Sequence, residues 1–148
     1  MPAFVTFGRI LFAVLFVFSG VAKLMDLPAT AQMTEKIILP AIFAPYTAQL
    51  ETITGMSIAQ VLAIVAGAIE VICGLMIALN FGARFFAILL ILFVAAATFY
   101  YHDFWNQTGP DARNNLVHAL KNLSLIGALF MIAGSSRSAK VHEPGYDV

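Results

Sequence analysis

The chain has 148 residues, of which 61% are hydrophobic and 11% charged, with eight basic and eight acidic residues and no net charge. A soluble domain carries about a quarter charged residues, and a globule this small has too much surface to hide so much apolar material. A mean hydropathy of +0.90 therefore reads as an integral membrane protein, one unit over residues 1–148. The neutral balance excludes the basic face that nucleic acid requires.

The first apolar run, residues 4–24, is long enough at about 1.5 Å per residue to cross a hydrocarbon core of about 30 Å. A cleaved leader is the rival reading. The charged KLMDLP after the run and the absence of a basic start favour a retained span. Asp26 and Pro28 close this span. The connection to the second run has helical composition at 29–39, breaks at Pro40 and Pro45, and suggests a further turn or two at 48–53. Its apolar ILPAIFAPY predicts a short helical segment lying in the membrane interface.

The second run, 58–79, is unbroken except for Glu70 near its middle. A carboxylate at that depth costs about 2.5 to 3.5 kcal/mol on insertion scales, so it needs a proton, a cation or water. Cys73 lies beside it. As the only cysteine it excludes an intrachain disulfide, a CxxC pair and a thiolate zinc site, and it reads as a small buried apolar residue. Asn80-Phe81-Gly82 makes a tight turn into the third run, 83–104, which ends in an aromatic belt, Phe99 to Trp105. Residues 106–114 read as a loop. The fourth run, 115–133, is interrupted by His118, Lys121 and Asn122, and a polar tail occupies 137–148.

The predicted fold is all-α, an antiparallel four-helix membrane bundle with a short interfacial helix between spans one and two. Both termini fall on one side. That side carries Arg9, Arg84, Arg137 and Lys140 against Lys23, Lys36 and Arg113 on the other, a small excess that favours cytoplasmic termini.

Depth and facing bring polar residues together. Asn114, His118 and Lys121 repeat at i, i+4 and i+7 on span four, with Asn122 beside them. Tyr101, His102 and Trp105 share a face of span three. Phe16, Gly20 and Lys23 share one with Arg9 on span one, and Ala66, Glu70 and Gly74 share one on span two, where small residues permit close helix approach. Glu70, Lys121 and His102 are expected at the centre of this meeting. Glu70 with Lys121 reads either as a functional pair or as a structural ion pair fixing register. Lys23 and Arg9 read as end residues that snorkel to water, and His118 as solvated. His102, His118 and Glu70 lack metal-ligand spacing, so no metal is expected.

GRILFAVLFVFSGVAKL, the lone glutamate of AGAIEVICGLMIAL, HDFW after span three, and HALKNLSLIGALFMIAG in span four together resemble the DoxX family of small four-span bacterial membrane proteins. The resemblance covers about residues 7 to 134, and its pattern falls on Lys23, Glu70, His102, Phe104, Trp105, Lys121 and Asn122. It implies the fold, a place in the bacterial inner membrane among lipid, and an association with quinone-linked oxidoreduction.

On that reading Glu70, His102 and Lys121 carry protons or hydrogen bonds, and Lys23, Tyr101, Trp105 and Asn122 hold a quinone. At most the chain is a quinone-interacting subunit of a membrane oxidoreductase complex with protein partners; it has no nucleotide motif, so no nucleotide is expected, and self-association is compatible with it. The second reading is a non-catalytic scaffold or assembly subunit. The third is a small transporter or proton path.

Overall fold

A computed structural model describes residues 3–135; the expected tail at 137–148 lies outside the described residues. The described chain is all-α, and four helices are long and apolar enough to cross a membrane. Helix α1 spans Ala3–Met25, α2 Leu27–Thr34, α3 Ala44–Thr54, α4 Ile58–Ala78, α5 Ala83–Tyr101 and α6 Gly109–Ser135. Short 3-10 turns lie at Ala41–Phe43 and Phe104–Asn106.

Local chemistry sets these limits. Ser57 starts α4 with a reciprocal cap: its Oγ accepts from Gln60 N at 3.3 Å and its own N–H donates to Gln60 Oε1 at 3.0 Å. Asn80 and Gly82 both take positive φ, 56° and 55°, and so turn α4 tightly into α5. Helix α6 starts at Gly109, earlier than the expected 115. Pro110 is tolerated in the first turn of a helix, and Asp111 suits its positive end. In the third span α5 ends at Tyr101 with His102 as its cap, and the Phe104–Asn106 turn follows.

The spans form two close pairs, α1 with α4 and α5 with α6, joined by contact between α4 and α5. A buried apolar cluster of Phe16, Cys73, Ile77, Ala87, Leu90, Val94 and Leu129 draws on all four. Much of the remaining apolar surface, such as Phe4, Phe7, Leu11 and Phe18 on α1, is exposed, as expected of side chains that face lipid.

The segment between spans one and two departs from a simple interfacial strip. Asp26 breaks the helix, its carboxylate accepting from Ala29 N at 3.2 Å, and α2 then runs on against α4. Thr30 Oγ1 donates to the carbonyls of Lys23 and Asp26 at 3.1 and 2.9 Å. Thr34 Oγ1 donates to Ala59 O at 2.7 Å. Thr30, Ala31 and Thr34 are buried, whereas α3 buries no residue. So α1 and α2 together form a broken wall along α4.

Candidate functional site

The α1–α4 contact is made close by glycine. A Cβ placed on Gly20 would lie 2.6 Å from Gly67 O and 2.9 Å from Glu70 Cβ; one on Gly67 would lie 2.7 Å from Leu24 Cγ. Real side chains do not fit such distances, so the two backbones approach closely at the level of Glu70. The buried stripes are Arg9, Ala13, Phe16 and Gly20 on α1 and Gly67, Glu70 and Gly74 on α4. Gly67, not Ala66, is the small residue buried before Glu70.

Glu70 is buried, and Lys23 is its partner: Lys23 Nζ lies 2.7 Å from Glu70 Oε2 and 2.6 Å from Ser19 Oγ. This corrects two expectations. The pair joins spans one and two, not spans two and four, and Lys23 turns inward to the carboxylate. The two ends differ in exposure, with 30% of the Lys23 side chain accessible against 8% for Glu70. A buried carboxylate is tolerable only when a cation and hydrogen bonds compensate it. Lys23 supplies both, and its accessible part is the side of the pair that can meet another molecule. Arg9 likewise is buried and not snorkelled; its Nη2 donates to Ser135 Oγ at 3.3 Å and links the start of α1 to the end of α6.

A second polar set lies between α5 and α6. His102 Nδ1 is 3.1 Å from Asn115 Oδ1, Asn115 Nδ2 donates to Gln107 Oε1 at 2.6 Å, and Gln107 Nε2 donates to Asp103 Oδ1 at 2.7 Å. The His118 ring is exposed but stacks on His102, with centroids 5.0 Å apart. Deeper along the pair, Asn122 Nδ2 donates to Thr98 Oγ1 at 2.9 Å. Tyr101 is half-buried. Trp105 is half-exposed and lies against Phe99 and Phe104, with centroids 5.7 and 5.1 Å apart.

The expected meeting of Glu70, His102 and Lys121 thus separates into two sets. Glu70 belongs with Lys23 and Ser19. His102 belongs with Asn115, Gln107, Asp103 and His118. Lys121 is exposed on α6, which packs along α5. Ser19 was legible as the residue one helical turn before Lys23. Gln107 carried no such signal, because it lies in a loop whose path the sequence does not fix.

These features define a four-span integral membrane protein with an ion pair inside the bundle. The DoxX family model matches residues 4–103, and the chain belongs to the DoxX family. The matched stretch holds Lys23, Glu70 and His102 and stops before α6. The chain is also 27% identical over 132 residues to the inner membrane protein YphA of Escherichia coli strain K12, covering 89% of this chain and 82% of that protein. No solved structure gives a significant match.

Proposed function

We propose that this DoxX-family protein is a subunit of a quinone-linked oxidoreductase system of the bacterial inner membrane, its termini cytoplasmic. The observation that carries the reading is the Lys23–Glu70 pair: an ammonium that remains partly accessible, held 2.7 Å from a buried carboxylate. Quinone chemistry needs a hydrogen-bond donor at an oxygen and a group that can change protonation, and this pair fits both needs. A bound quinone would supply the acceptor for electrons. Lys23 would donate a hydrogen bond to its carbonyl oxygen, and Glu70 would hold or pass the accompanying proton. Tyr101 and Trp105 offer aromatic faces, and His102 and Asn122 offer polar contacts from the α5–α6 side. The donor role expected of Lys121 falls to Lys23, which holds Glu70. The relative named an inner membrane protein supports the location, and the excess of Arg9, Arg84, Arg137 and Lys140 over Lys23, Lys36 and Arg113 favours cytoplasmic termini.

A second reading is favoured by one feature. Lys23 and Glu70 satisfy each other at the level where Gly20 and Gly67 bring α1 and α4 together, which is what a structural clamp in a non-catalytic scaffold requires. Mass spectrometry of organic extracts from protein purified in mild detergent separates the two. The wild type is compared with the combined Lys23→Leu, Glu70→Leu variant. Quinone retained near stoichiometrically by the wild type and lost in an equally stable variant supports the site. Quinone absent from both makes the pair a clamp.

A further inference from the structure

The chain has three histidines, and two of them form a stacked pair across α5 and α6. The His102 and His118 rings lie 5.0 Å apart and 9° from parallel. Their proton is positioned by the neighbouring amides. Asp103 Oδ1 accepts from Gln107 Nε2, which leaves Gln107 Oε1 to accept from Asn115 Nδ2. Asn115 then presents Oδ1, which can only accept, to His102 Nδ1. His102 therefore carries hydrogen on Nδ1, and a run of aligned dipoles connects its ring to the carboxylate of Asp103. Among the described residues the His118 ring makes no hydrogen bond, and Lys121 follows it by one helical turn.

We infer that the stacked pair is a proton-operated latch on the Phe104–Gln107 turn. With at most one ring charged, the stack holds, and the turn stays bound to α6 through Asn115 and Gln107. With both rings charged, like charges 5.0 Å apart separate the rings and loosen the turn. The other ionisable groups on the elements around the pair are few. Tyr101 and Asp103 flank His102. Asp111, Arg113 and Lys121 come from α6, and the Phe104–Asn106 turn brings none. Helix α4, packed on α5, brings Glu70, which Lys23 of α1 already holds. Imidazole changes charge between about pH 5 and 8, so the latch opens as the pH falls. It uses residues separate from the Lys23–Glu70 pair and stands whether or not that pair binds a quinone.

The single tryptophan, Trp105, lies in the turn against Phe104 and reports on it. Its emission is followed in detergent from about pH 8 to pH 5, the range in which imidazole titrates. The wild type should show a reversible shift to longer wavelength. His118→Phe keeps a ring for stacking but cannot be charged, and should lose the shift while emitting as the wild type does at high pH. His118→Asn removes the ring and should emit at the longer wavelength throughout. No shift in the wild type overturns the latch. So does a full shift in His118→Phe, or an Asn variant that stays at the wild type's high-pH position.

Discussion

Helix α1 meets α4 through glycine, whereas α5 meets α6 through side-chain hydrogen bonds. In the first pair Gly20 and Gly67 bring the backbones together and Lys23 closes on Glu70. In the second, Thr98 holds Asn122, and Asn115 holds both His102 and Gln107. Lipid tails are as apolar as leucine, so burial of apolar surface does little to join helices inside a bilayer, and close packing and polar contacts take its place. The two pairs use these in opposite proportion. The α1–α4 contact should be rigid and intolerant of added volume, and the α5–α6 contact more readily adjusted.

The largest expected effect comes from stranding the buried carboxylate. Lys23→Leu leaves Glu70 without its cation and should destabilise the protein by about 3 kcal/mol, the usual cost of breaking a buried pair. Adding Glu70→Leu should return most of that loss. Unfolding titrations in detergent check both, and a single variant as stable as the double would show that the pair contributes nothing as a unit. Next comes volume. Gly20→Ala forces a methyl group against Gly67 O and Val71, distances of 2.6 and 2.8 Å, and should cost about 1 to 3 kcal/mol. Gly127→Ala is the matched control on α6, where an added Cβ meets nothing within 4 Å; there the better helix propensity should stabilise by about 0.5 to 1 kcal/mol. A third, smaller effect tests the α5–α6 side. Asn122→Leu and Thr98→Val should each cost about 0.6 kcal/mol, the average for hydrogen bonds between membrane helices. The double variant should cost no more than either alone if one bond is being removed.

The four spans were legible because apolar runs of crossing length leave few alternatives, and Gly20 and Gly74 were legible from helical spacing, whereas Gly67 was missed for Ala66 beside it. What failed was lateral order. Four antiparallel helices can be arranged around a centre in more than one way, and a stripe such as Asn114, His118 and Lys121 does not say which neighbour it faces. Depth failed for a different reason. Lys23 stands two residues from the end of α1, so a helix counted from its own end places it at the surface. But α2 continues the wall beyond the break at Asp26, and α4 runs twelve residues from Ile58 to Glu70, about 18 Å at about 1.5 Å per residue. The surface therefore lies well beyond Lys23. Nothing in the composition of residues 27–34 distinguished a helix packed on α4 from one resting in the interface.

Lys121 is where the comparison can be sharpened with the least perturbation. It lies in α6 between His118 and Asn122, yet it is exposed, while Asn122 beside it bonds to Thr98 and is partly buried. An exposed ammonium on a flexible stem reaches toward headgroups or water with little loss, so Lys121→Leu should change stability by no more than about 0.5 kcal/mol, as for most surface substitutions. The same unfolding titration that registers Lys23→Leu measures it. A cost comparable to that of Lys23→Leu would mean that Glu70 is shared between two lysines and that α6 reaches across to α4. A negligible cost would leave α1 and α4 as the self-contained charged half of the bundle, and α6 as the helix whose polar face is available to the turn it carries.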